Sequence, residues 1–133
     1  MRFITQIERN AVKDFIQKDK TITCPRKGDY YAMIDMDKNE ILTALCIVDA
    51  GTYYHVQSMR TAKENRRKGY STRLLEEVVN DKRYSDKPIC ADCLIYSKNI
   101  FARVGFMQVK EFTKGNHKEW SMRREAVNGK AKN

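Results

Sequence analysis

Between Tyr30 and Arg60 three strand-like segments follow one another, and beyond Gly69 the apolar period changes from that of a strand to that of a helix. Tyr30–Met36, Ile41–Val48 and Tyr53–Arg60 are rich in β-branched and aromatic residues. Asp37-Lys38-Asn39-Glu40 supplies a hairpin turn between the first two, and Ala50-Gly51 marks the second turn. Three such segments with short connections predict an antiparallel meander. Leu74, Leu75, Val78 and Val79, with Tyr70 one turn earlier, then form one apolar stripe, which predicts a helix over about Lys68–Lys82. A helix with one apolar face, arriving straight after a meander, has a sheet to pack on.

The flanking segments extend this pattern. Phe3–Ile7 reads as a first strand, and Val12, Phe15 and Ile16 place a helix across about Glu8–Asp19. Thr21–Asp29, with Pro25 and Gly28, reads as a loop too short for an elaborate lid. Pro88 precedes a strand, Ile89–Ile95, and Ser97 is the expected N-cap of a short helix carrying Ile100, Phe101 and Val104 until Gly105 stops it. Phe106–Phe112 and Glu119–Arg123 close as strands around a Thr113–Lys118 turn. The order β-α-β-β-β-α-β-α-β-β predicts an α/β fold: a mixed, largely antiparallel sheet flanked by helices. With 133 residues the chain fits one domain over 1–124, followed by a basic, disordered tail over 125–133.

No stretch approaches the roughly 18 apolar residues of a membrane span, and Glu8 interrupts the N-terminal segment too soon for a secretory signal. The expectation is a cytoplasmic protein with no membrane partner. Cys90-Ala-Asp-Cys93 has C-x-x-C spacing, which raises a redox or zinc reading. On a strand, however, residues three apart face opposite ways, and neither Cys24 nor Cys46 brings a spaced partner. Ordinary reduced cysteines and no metal are expected. The net charge of +9 points to anionic partners, whether a phosphate-rich cofactor, an acidic protein or a nucleic acid.

Arg66-Arg67-Lys68-Gly69-Tyr70-Ser71 stands between a strand and an amphipathic helix. Unpaired N–H groups at a helix start bind anions together with the helix dipole. Gly69 lets a phosphate approach the backbone, and Arg60, Arg66, Arg67 and Lys68 supply positive charge. The alternative is a solvated basic turn. Arg66-x-x-Gly69-x-Ser71 resembles the R/Q-x-x-G-x-G/A signature with which the GNAT acetyltransferase family binds the pyrophosphate of acetyl-coenzyme A. Phe101-Ala102-Arg103-Val104-Gly105-Phe106 is similar to that family's Y-x-x-x-G-F segment, and the intervening strand and preceding meander keep the family's order. The resemblance implies a GNAT-like acyl-CoA N-acyltransferase fold, acetyl-CoA as cofactor and an amine as acceptor.

Acyl transfer to an amine needs a general base, because a protonated amine has no lone pair. His55, fourteen residues before Gly69, matches the offset of the strand carboxylate that serves as base in some family members. An imidazole changes charge near neutral pH, which suits the task. A half-buried strand histidine without a catalytic role is the competing reading; Glu64 is a weaker candidate base and His117 a solvent-exposed one. The resemblance further implies that the backbone of Met59 and Thr61 pairs with the pantetheine arm and that an N–H near Met59 polarises the thioester carbonyl. It places Arg66, Arg67, Lys68, Gly69, Tyr70 and Ser71 around the pyrophosphate, with the Ser71 hydroxyl available to a phosphate oxygen. Asn99 and Phe101 are set beside the cofactor, Asn99 with no assigned role. Phe101 departs from the family's tyrosine and cannot donate a proton, so protonation of the departing thiolate falls to Tyr96, Ser97 or water, or is unnecessary. Tyr30, Tyr31, Tyr53 and Tyr54 divide between core and surface or line an acceptor groove. The acceptor is expected to be a protein or peptide amine, with a nucleic acid or nucleobase amine as one alternative and a non-catalytic coenzyme A- or nucleic-acid-binding module as another. The chain is expected to be a monomer or homodimer.

Overall fold

The computed structural model describes residues 2–3 and 6–127, and side-chain environments from residue 8 onward. Its elements are β1 (Arg2–Phe3), α1 (Gln6–Gln17), β2 (Asp29–Asp35), β3 (Glu40–Asp49), β4 (Tyr54–Thr61), α2 (Tyr70–Val79), β5 (Ile89–Cys93), α3 (Ile95–Arg103), β6 (Met107–Lys114) and β7 (His117–Arg124). Short 3-10 turns, Lys63–Asn65 and Lys82–Tyr84, flank α2. The strands form one seven-stranded sheet in the order β1-β2-β3-β4-β5-β7-β6. Every neighbouring pair is antiparallel except β4 and β5. That parallel pair needs a crossover, and α2 is the crossover helix. The expected order of strands and helices is the one observed.

Two apolar layers hold the helices to the sheet. On one face Leu74, Leu75, Val78 and Val79 of α2, with Phe101 and Val104 of α3, pack on Tyr31, Leu45, Val56, Ile89 and Trp120. The four α2 residues are at most 2% exposed, and burial of each contributes about 1.5–3 kcal/mol before entropy is counted. On the other face Val12, Phe15 and Ile16 of α1 cover Tyr30, Ala32, Ala44 and Cys46. The outer row of β5, β7 and β6 on that second face lies beyond this cluster. Arg124 of β7 donates to the Val79 carbonyl at 2.8 Å, where a cation suits the C-terminus of α2.

The boundaries differ from expectation in three places. α1 begins at Gln6, inside the segment read as a strand, and β1 is Arg2–Phe3. β5 ends at Cys93, whose pairing with Trp120 is the last rung of its ladder; α3 then starts at Ile95. Ser97 is therefore the third helical residue and not the N-cap. That position belongs to Leu94, which offers no side-chain cap. The last turn tightens to Gly115-Asn116, because Lys114 and His117 already pair. Of the expected tail, residues 128–133 lie outside the described residues.

The Phe101–Phe106 segment has a structural explanation. Phe106 N–H donates to the Phe101 carbonyl and Gly105 N–H to the Ala102 carbonyl, at 3.1 and 3.2 Å. Gly105 has φ +93°. This is a Schellman helix stop, completed by the edge-on contact of the Phe101 and Phe106 rings at 5.0 Å. Because a Cβ at Gly105 would meet Arg124 Nε at an ordinary 3.5 Å, only the backbone angle resists a side chain. Gly105→Ala is expected to lower stability by about 1–2 kcal/mol, read as a fall in the urea midpoint at unchanged slope; an unchanged midpoint would contradict this account.

Candidate active site

β4 and β5 run side by side for only two residue pairs, Tyr54↔Ile89 and His55↔Cys90. β5 stays paired with β7 along its whole length. β4 instead carries a bulge: Cys46 pairs with Ser58 and Ile47 with Val56, which leaves Gln57 unmatched. A bulge bends and twists its strand, and the two strands part just where it occurs. Beyond it, Ala62 N–H donates to the Leu42 carbonyl at 3.2 Å. Strand alternation therefore turns the backbone groups of Met59 and Thr61 away from β3, into the gap left by β5. The gap opens at the carboxyl ends of the two parallel strands, where open α/β sheets place their ligands.

The chain leaves β4 and reaches α2 through the basic loop. Gly69, the residue before the helix, is left-handed at φ +80°, and Arg67 is left-handed at φ +64°. A left-handed arginine costs about 1 kcal/mol or more, and alternation of backbone hand of this kind is what lines successive N–H groups into anion-binding concavities. A Cβ placed at Gly69 would meet nothing within 4 Å, so the space over the loop is open. Arg67 and Lys68 are exposed. Arg66 Nε donates to the Thr61 carbonyl at 3.3 Å, tying the loop to the free edge of β4. The Ser71 hydroxyl, expected to meet a phosphate oxygen, turns inward and shares a short hydrogen bond with Thr61 Oγ1 and a longer one with Thr43. The backbone of Ser71 is thereby fixed under Thr61.

His55 lies on the opposite face of β4 from the buried Tyr54 and Val56. Its Nδ1 is 2.9 Å from Gln57 Oε1. A carboxamide oxygen only accepts, so this contact puts the proton on Nδ1 and leaves Nε2 as the basic nitrogen. The Tyr53 ring packs edge-on against the imidazole, with centroids 6.3 Å apart. His55 forms one wall of a cleft of about 420 Å³, whose other walls are Tyr53, Cys90, Asp92, Lys110, Phe112 and Ser121. The last four are drawn from three strands distant in sequence, and nothing local in the chain marks them as neighbours.

Tyr96 and Ser97 lie in the first turn of α3, at the end of β5; Tyr96 is 79% exposed. Asn99 is exposed on the same helix. Phe101 is 3% exposed and belongs to the core under α2 and α3. Glu64 is exposed in the first 3-10 turn. His117 is exposed and bonds Glu119 at 2.9 Å, in the β6–β7 hairpin. Neither reaches the cleft beside His55. Tyr30, Tyr31 and Tyr54 are core residues, and of the four tyrosines only Tyr53 reaches the cleft.

Cys90 faces the cleft while Cys93 faces the core, as residues three apart on a strand should. All four cysteines are free. Burial pushes the thiol of Cys46 up to about 12 and that of Cys93 up to about 11, from an ordinary 9.0. Between these values the folded chain keeps protons that the unfolded chain releases. Stability should therefore fall as pH rises above about 9. Urea midpoints at pH 8 and pH 10.5 check this, and a midpoint that does not drop at the higher pH would refute it.

Residues 2–124 match the family model described as acetyltransferase (GNAT) domain. The chain belongs to the GNAT acetyltransferase family. It is an N-acetyltransferase, and the family fold implies an acyl-CoA as acyl donor. Solved GNAT-fold structures agree in architecture. The chain is similar to Escherichia coli ElaA, with TM-score 0.75 at 11% identity over 92% of this chain and 93% of that one. It is similar to a histone acetyltransferase HPA2 and related acetyltransferase from Corynebacterium glutamicum, with TM-score 0.72 at 14% identity over 94% of each chain. An acyl-CoA N-acyltransferase from Pseudomonas aeruginosa gives TM-score 0.68 at 14% identity over 91% and 92%. No individually curated protein matches the sequence. Among the described residues no helix of this GNAT chain is long and apolar enough to cross a membrane, and no cluster of side chains is suited to a metal ion.

Proposed function

We propose that the chain transfers an acetyl group from acetyl-CoA to an amine on a protein or peptide, by direct attack with both substrates bound. The observation that carries this reading is the edge of β4 at Met59 and Thr61, which has no strand beside it among the described residues, continuing into the left-handed loop at Gly69. Donor groups and cations suit the carrier: an extended pantetheine arm completes the strand edge, and a diphosphate meets the amides from Gly69 to Ser71 with Arg67 and Lys68 beside it. Acetyl-CoA supplies an activated acyl group on a thiolate that leaves readily. The Met59 N–H, aimed into the gap, stabilises negative charge developing on the acyl oxygen.

His55 Nε2 takes the proton from the incoming amine. Four residues of strand separate it from Met59, roughly 13 Å at the usual rise, so the proton passes through water. Phe101 has no proton to give. The first turn of α3, with Tyr96 and Ser97, starts at the open end of the gap, where a helix N-terminus favours negative charge on a thiolate.

A large acceptor is supported by the lining of the cleft, to which the α1–β2 connection contributes no residue, and by the charge of +9. The name of the Corynebacterium relative points the same way. Titration calorimetry with acetyl-CoA tests the reading: saturable binding weakened at least about tenfold in Gly69→Glu, where a carboxylate enters the phosphate space, is expected. No heat and no thermal shift with the native protein would end it. The charge of +9 also favours a nucleic-acid acceptor as a second reading, which requires binding that weakens steeply with salt.

A further inference from the structure

We propose that the cleft beside His55 selects an amine that carries an acidic group on the same molecule, with Asp92 receiving the ammonium and Lys110 the carboxylate. This rests on the acyl-transfer reading for the identity of the cleft as the acceptor site. Its warrant is the strand register. Asp92 of β5 pairs with Ser121 of β7, and Ser121 pairs with Lys110 of β6. The three residues therefore form one row across the sheet, all lining the same cleft. Two strand spacings set the Asp92 and Lys110 backbones about 10 Å apart.

Among the described residues neither charge has a salt-bridge partner. Among the described residues the Asp92 carboxylate makes no hydrogen bond, and Lys110 Nζ rests 5.7 Å over the Phe112 ring. Two opposite charges are thus held apart with only the small hydroxyl of Ser121 between them. An amine alone would leave Lys110 facing the acceptor unmatched, and a dication would be repelled by it. A molecule bearing both charges satisfies both ends. The rings of Tyr53 and Phe112 give its aliphatic part apolar walls.

Asp92 also stands on the strand that pairs with β4 at His55, two residues beyond Cys90. Paired spacing and rise alone would set its backbone about 8 Å from that of His55, and the parting of the strands beyond Cys90 widens this. Both side chains line the cleft, so an amine drawn in as the ammonium at Asp92 can pass its proton through water to Nε2. Asp92 and Lys110 are specificity-determining residues in this scheme, and His55 acts on the proton.

The test uses blocked peptides with one lysine followed by glutamate, by alanine or by lysine, together with free lysine, each titrated into the protein and observed by amide chemical shifts. The lysine–glutamate peptide should bind about fivefold more tightly than the lysine–alanine peptide, with shifts at Asp92, Lys110 and Ser121, and the preference should shrink at high salt. Lys110→Ala should abolish the preference, while Lys82→Ala, which removes the same charge from the 3-10 turn after α2, should retain it. Asp92→Asn should weaken all lysine peptides alike. Comparable binding of free lysine would mark a small amino acid as the source of this chemistry; binding by the peptide alone would mark a protein segment. Equal affinity for the glutamate and alanine peptides, or a preference that survives in Lys110→Ala, overturns the proposal. Acetyl-CoA titration in parallel separates this from the parent reading: loss of donor binding would sink acyl transfer even where the charge preference holds.

Discussion

His55→Ala is expected to lower kcat/KM for amine acetylation by about a hundredfold or more while leaving the affinity for acetyl-CoA unchanged. The separation follows from where the side chain points. His55 faces the cleft proposed for the acceptor and, among the described residues, hydrogen-bonds Gln57 alone, whereas the donor groups of Met59 and Thr61 are backbone atoms at the strand edge. Initial rates of acetylation, with acetyl-CoA affinity measured beside them, check both parts. A variant within about threefold of wild type would assign the base elsewhere.

Met59→Pro should lower kcat by about 10²–10³-fold, the usual cost of removing one donor to a developing oxyanion. Proline in a central strand ordinarily destroys a ladder bond. Here the geometry spares it, because the alternation set by Ala62 and Leu42 turns the Met59 N–H into the gap and not toward Leu45 of β3. The preceding residue, Ser58, is already extended, as a residue before proline prefers. The urea midpoint measured alongside kcat separates a lost donor from a lost fold. A folded variant with full activity would show that the Met59 amide does not act on the acyl oxygen.

Local signals in the chain identified elements and their order, because each rests on neighbours in sequence. The stripe Leu74, Leu75, Val78, Val79 marks α2, and all four are buried where the period places them. Gly69 and Gly105 mark a helix start and a helix stop; both have positive φ, which the helix stop at Gly105 requires. Long-range facts were not legible. Nothing in Tyr53–Arg60 marks Gln57 as a bulge, since the extra residue is defined only by the β3 register. The parting of β4 and β5 depends on a pairing that stops after two rungs. Asp92, Lys110, Phe112 and Ser121 meet only because three strands assemble in a particular order. Leu94 and Ile95 look like strand residues by composition, but the β5 ladder ends at Cys93↔Trp120 and α3 begins at Ile95 although β7 runs on to His117.

The seam between β4 and β5 is two rungs long. Among the described residues β1–β4 on one side and β5–β7 on the other pair only at Tyr54↔Ile89 and His55↔Cys90, and one buried core beneath α2 and α3 backs both halves. His55 stands on one half and Asp92 on the other, so the separation of the halves sets the width of the cleft they line. On the proposed reading the expected order of loading is carrier first and amine second, because a carrier in the opening would brace the two halves that flank the amine.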